Sequence, residues 1–166
     1  MRIKQTGFTV FDLIMTMIII GILAVTVITA WPSGDGSIVL RNQAEQMAVN
    51  LRYYHYLAMV ENSTVLAHFT ANSYSFTEAD GSTPINSPAT DSNVFSLPSG
   101  TSLSVTQGGA SLSLLAFAAD GTPYTNAAAT VPLVSHAIFR LSSSGKVATF
   151  YLRLSTGAVT DISMSG

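Results

Sequence analysis

The chain has 166 residues, with 7 Lys and Arg against 9 Asp and Glu and no cysteine. A formal net charge of −2 argues against an electrostatic grip on nucleic acid, and the missing thiols exclude both a disulfide framework and a thiolate metal site. Only 10% of residues are charged, and the abundance of Ser, Thr, Gly and Ala suits β-structure with polar loops rather than a helical bundle.

Residues 8–31 carry Asp12 as their only charge, and a helix through them would be about 36 Å long, enough to span a bilayer core. Arg2 and Lys4 precede this run with no acid. The positive-inside tendency therefore places residue 1 in the cytoplasm and the chain after Trp31 on the other side. A charge in such a segment costs about 2.5–3.5 kcal/mol on insertion scales and usually marks function. Asp12 lies roughly 6 Å inside the run, so snorkelling to the interface is the bland alternative.

Residues 31–36, Trp-Pro-Ser-Gly-Asp-Gly, predict a helix break, because proline removes a backbone donor and glycine raises the entropic cost of order. Helix is expected again over 37–61, with Ser37 as cap. Leu40, Ala44, Met47, Leu51, Tyr54 and Ala58 form one apolar stripe at alternating spacings of four and three, which should seat the helix on a sheet.

Over 62–166 the pattern turns to period two. Strands are expected at 65–70, 73–77, 94–97, 102–106, 111–117, 136–141, 146–154 and 158–164. Ser143-Ser144-Gly145 and Ser155-Thr156-Gly157 would join the last three as a meander. The stretches 80–92 and 122–132, rich in Pro, Ser, Thr, Asn and Ala, read as loops. The expected class is α+β: a long N-terminal helix, membrane-spanning and then amphipathic, packed on an antiparallel domain of two small sheets.

The run Gly7-Phe8-Thr9-Val10-Phe11-Asp12-Leu13 resembles the precursors of type IV pilins and type II secretion pseudopilins, which share a Gly-Phe-Thr-Leu-Ile/Val-Glu-Leu pattern. Here Val10 and Phe11 replace the commoner aliphatic pair, and Asp12 replaces Glu, shortening the carboxylate by one methylene. The resemblance implies a leader over 1–7, a membrane segment over 8–31, a break over 32–36 and an extracytoplasmic domain from 37 onward. It implies cleavage between Gly7 and Phe8 by a prepilin peptidase, with N-methylation of Phe8. Asp12 would meet the N-terminal amine of a neighbouring subunit during assembly, where paired charges lose less on leaving water than either would alone.

Removing Arg2 and Lys4 with the leader would leave 5 basic against 9 acidic side chains. The implied partners are other pilin or pseudopilin subunits, the peptidase and an inner-membrane assembly platform. No cofactor is implied. Residues 115–121, Leu-Ala-Phe-Ala-Ala-Asp-Gly, are similar to the Phe-x-Pro-x-Gly turn of GspH/FimT-like minor pilins, with Ala119 where proline is usual. Residues 150–159 are similar to that family's closing hairpin, in which a glycine turn precedes the last strand.

Catalytic and metal-binding readings find little support. His55, His68 and His136 lack mutual spacing, no Gly-x-Ser-x-Gly elbow is present, and Glu78-Ala79-Asp80-Gly81 has too few ligands for a calcium loop. His68 and His136 read as structural strand residues. The tyrosines at 53, 54 and 56 around His55 either seat the helix on the sheet or stack on a ligand. Three functional readings follow: a filament subunit working by assembly without catalysis, a displayed binding module that meets a secreted substrate, another pilin, a surface or DNA through the 80–92 and 122–132 loops, and a soluble exported protein cut after Ile28-Thr29-Ala30. The apolar run is longer than an ordinary signal core, which weighs against the third.

Overall fold

The computed structural model describes residues 11, 13–20, 36–154 and 156–166. The chain divides into two compact units, Met1–Asp35 and Gly36–Gly166. In the first, residues 11 and 13–20 are helical with exposed side chains. Gly7, Phe8, Asp12, residues 32–35 of the expected 32–36 break and most of the expected 8–31 membrane segment lie outside the described residues, and Gly36, expected to close the break, is instead the first residue of a helix. Among the described residues, no helix is long and apolar enough to cross a membrane.

The second unit is one helix against two five-stranded antiparallel sheets. The helix α1 runs Gly36–Val60. Leu40, Ala44, Met47, Leu51, Tyr54 and Ala58 are each 1% exposed or less, so the whole expected stripe is dry, joined by Ala48. With Gly36 already helical, Ser37 falls inside the first turn rather than capping it. Burying each large side chain in this stripe contributes about 1.5–3 kcal/mol, and together they hold α1 on the sheets.

The strands are β1 (Val65–Phe69), β2 (Ser73–Glu78), β3 (Val94–Ser96), β4 (Thr101–Gln107), β5 (Ala110–Ser111), β6 (Leu114–Phe117), β7 (Pro123–Tyr124), β8 (Ala137–Ser143), β9 (Lys146–Leu152) and β10 (Ser163–Ser165). One sheet has the order β3-β2-β1-β6-β7 and the other β10-β9-β8-β4-β5, so the two small sheets and the closing β8-β9-β10 meander match expectation. α1 touches β1 and β6 of the first sheet and β8 and β9 of the second. Aromatic stacking fills the interior: Tyr54 lies on Phe76 with centroids 3.7 Å apart, and Phe139 on Phe150 at 4.8 Å.

Two hairpins turn on paired residues of positive φ. Gly108 and Gly109 (55° and 88°) join β4 to β5, and Ser144 and Gly145 (50° and 80°) join β8 to β9. Both are two-residue loops of the type I′ kind, whose twist matches the strands.

Three further expectations need correction here. The single strand expected over 111–117 is two: β5 pairs with β4, then the chain crosses to the other sheet, where β6 pairs with β1. The 122–132 stretch contains β7, with Pro123 opening an edge strand where its missing N–H costs no ladder bond. Its remainder is fastened by Asn126, whose Oδ1 accepts from Thr130 N at 3.0 Å and Val131 N at 2.9 Å. The strand expected over 158–164 is interrupted. Leu152 faces Val159 while Thr149 faces Ser163, so three steps on β9 oppose four on its partner and the hairpin bulges at 160–162.

Tyr54 is wholly buried, its hydroxyl donating to Ile85 O at 3.0 Å, and Tyr74 is nearly so. Burial pushes both phenols up to about 12, with Tyr53 and Tyr74 adding to the effect at Tyr54 and the Asn50 hydrogen bond opposing it at Tyr74. Because folding raises these values above the unfolded 10.0, their stabilising contribution is full below pH 10 and is lost as pH rises toward about 12. Denaturation midpoints measured from pH 8 to 12 should fall above pH 10, and Tyr74→Phe should flatten that decline. An unaltered decline in the variant would contradict the assignment.

Candidate assembly surface

α1 has a second apolar stripe. Val49, Tyr53, Tyr56 and Val60, spaced four, three and four, share the face opposite the buried stripe. They are 57%, 36%, 62% and 61% exposed. The helix is therefore apolar on two opposite faces, one dry and one uncovered, and an uncovered apolar row of this kind marks an interaction surface. The expected tyrosine cluster divides accordingly: Tyr54 enters the core, whereas Tyr53 and Tyr56 belong to the outer row.

Polar side chains flank the row. Arg41 Nε donates to Glu45 Oε1 at 2.8 Å, an exposed i,i+4 pair of about 0.3–0.5 kcal/mol. Arg52 reaches Val159 O at 3.3 Å and ties α1 to the bulged hairpin. Between them runs a groove of about 340 Å³, closed on its far side by Thr160, Asp161 and Ile162. It presents two cations and two carboxylates, an arrangement with no net charge to draw an ion.

His55 fixes the C-terminal end of α1. Its Nε2–H donates to Gly121 O at 2.9 Å, and its ring meets Phe117 edge-on with centroids 5.4 Å apart. Two glycines make room. A methyl group at Gly157 would lie 2.5 Å from His55 Nε2, and one at Gly121 would lie 2.9 Å from Met59 Sδ. Both also have positive φ, 59° and 82°. Thus the Asp120-Gly121 turn and the Gly157 hairpin, picked out separately in the sequence, converge on one histidine. Sequence reasoning missed this meeting because 55, 121 and 157 are far apart in the chain. The accessible signal was a glycine closing each turn.

The other histidines have separate duties. His68 Nε2 bonds Thr77 Oγ1 at 3.0 Å within β1 and β2, as a structural strand residue would. His136 is exposed just before β8 rather than inside it. Among the described residues, no group of three or more His, Cys, Asp or Glu gathers to hold a metal. Asp80 instead closes its own turn: its carboxylate accepts from Thr83 Oγ1 at 2.6 Å, Thr83 N at 2.8 Å and Ser82 N at 2.9 Å. These bonds, the Thr83 hydroxyl foremost, hold it well below the usual carboxylate range.

No family model matches the sequence, and no curated protein matches it. Among solved structures, the chain is similar to the minor pseudopilin EpsH from the Type 2 Secretion System of Vibrio cholerae, at 10% identity and a TM-score of 0.54. The likeness covers 80% of this chain and 98% of that one. At this identity it establishes a shared fold, the pilin-like α+β architecture of a long helix against two antiparallel sheets.

Gly157→Ala should destabilise the domain by about 1–3 kcal/mol, through overpacking against His55 and the positive φ. In a double-mutant cycle, His55→Ala should relieve part of that loss, with a coupling of at least about 0.5 kcal/mol. Chemical denaturation of the four proteins measures it. Additive losses would show that the ring and the hairpin do not meet.

Proposed function

We propose that this chain is a pilin-like structural subunit of the type IV pilus and type II secretion class, acting by assembly and not by catalysis. The fold likeness, spanning nearly the whole of a minor pseudopilin domain, carries this reading. The N-terminal residues support it independently, since a basic leader, Gly7-Phe8-Thr9 and an acid fifth from the junction recur in that class.

In this reading residues 1–7 are a leader removed by prepilin peptidase between Gly7 and Phe8, and the new amine of Phe8 is methylated. Residues 8–31 anchor the subunit in the bacterial inner membrane with the N-terminus cytoplasmic and the 36–166 unit outside. Through an assembly platform the subunit enters a filament, where Asp12 faces the amine of a neighbour and sets register. The outer row of α1, from Val49 to Val60, supplies a second apolar surface for neighbouring pilin or pseudopilin subunits.

The N-terminal mass of the mature chain, made with and without a prepilin peptidase, tests the reading. A start at N-methylated Phe8 that requires the enzyme is expected. A start at Trp31, or an uncut Met1 with the enzyme present, would overturn it. Asp12→Ala should lower filament incorporation about tenfold, the effect of ~1.4 kcal/mol, while leaving denaturation of the β-domain unchanged and with Asp12→Glu retaining incorporation. Equal incorporation of Asp12→Ala would remove the amine-pairing role.

A further inference from the structure

A second groove, of about 460 Å³, lies on the other flank of α1, between the helix and the edge strand β3. Its size is within the range of ligand sites. One wall is a row of side-chain amides: Asn42, Gln46 and Asn50 succeed one another every four residues along α1. Opposite stand Ser87 and Phe95, the latter stacked on Tyr74 with centroids 4.9 Å apart. Val49 contributes an apolar surface and leads from this groove onto the outer row of α1.

The spacing selects the occupant. Amides four residues apart on a helix repeat every ~6 Å, and the main chain of an extended polypeptide repeats its outward N–H and C=O pair every ~6.7 Å. Over three amides the mismatch accumulates to about 1.4 Å, within reach of side-chain rotation. Each amide both donates and accepts, as peptide groups require. A helix offers no such row of groups, since its backbone bonds are internal. The one charged side chain in the lining, Glu45, is already engaged by Arg41, so nothing here favours a charged ligand.

The edge of β3 is taken up in part. Val94 turns its N–H and C=O to Ser92 Oγ, at 3.2 Å and 3.0 Å, which closes that part of the edge. The amide row of the helix is therefore the longer run of main-chain partners along this groove. Asn50 is anchored for the purpose, donating through Nδ2 to Tyr74 Oη at 2.9 Å and leaving Oδ1 as an acceptor.

We propose that this groove binds an extended, uncharged peptide segment of a partner protein, its main chain read by Asn42, Gln46 and Asn50 and one apolar side chain set against Phe95 and Val49. The proposal does not depend on the pilin reading, because it uses only the α1–β3 geometry.

A phage-displayed library of unconstrained dodecapeptides, panned on the full chain in detergent micelles, tests it. Enriched peptides should be uncharged with apolar residues at alternate positions. Their affinity, measured by fluorescence anisotropy, should weaken about tenfold or more in Asn42→Ala/Gln46→Ala. Both residues are exposed and alanine favours helix, so the variant should keep its denaturation midpoint. Thr160→Ala, in the opposite groove, should bind as the parent does. No enrichment, enrichment of helical or strongly charged peptides, or equal binding by the double variant would overturn the proposal.

Discussion

The dry face of α1 is the constraint on which the rest of the domain depends. Leu40, Ala44, Met47, Leu51, Tyr54 and Ala58 leave no room for water, and they touch strands of both sheets. α1 covers part of the inner face of each five-stranded sheet, and Phe69 of β1 meets Phe139 of β8 beside it. Because no disulfide exists to assist, apolar burial and its aromatic stacks provide the cohesion. Where α1 ends, Asn62 takes a positive φ of 50° and Ser63 N bonds back to Ala58 O at 3.1 Å, a Schellman closure that sends the chain into β1.

Seating α1 by one face leaves the opposite face to be explained. A helix serving only as a lid would present polar residues outward. Here Val49, Tyr53, Tyr56 and Val60 do not, and the polar residues are displaced to the flanks as the Arg41–Glu45 pair and the Asn42, Gln46, Asn50 row. His55 then matters twice. It fixes the turn at Gly121 and the hairpin at Gly157 against the helix, and by doing so it holds the end of α1 that carries Tyr56 and Val60.

Much of this was legible in the residues. The buried stripe followed from its period of three and four, and β1, β2, β8 and β9 from alternation and polar turns, because these patterns record local geometry. What escaped depended on partners distant in sequence. The change of sheet between Ser111 and Leu114 is invisible to alternation, which records a face but not a neighbour. β7 escaped because Pro123 signals a loop unless the strand is known to lie at an edge. The bulge at 160–162 escaped because a one-residue slip leaves composition unchanged. Conversely, Gly7, Phe8 and Asp12 were legible only as a pattern of residue types, and the roles proposed for them rest on the likeness of that pattern to pilin precursors.

In the proposed function, the outer row of α1 is the surface that neighbouring subunits cover. The chain has no cysteine, so a single thiol introduced at Tyr56→Cys can carry a benzophenone label without interference. Irradiation in membranes of the producing cell should yield adducts from position 56 whose partner peptides come from the helices of pilin-type subunits, while the same label at Ser104→Cys, on β4, should yield few. Equal labelling from both positions, or adducts from Ser104→Cys alone, would contradict the account.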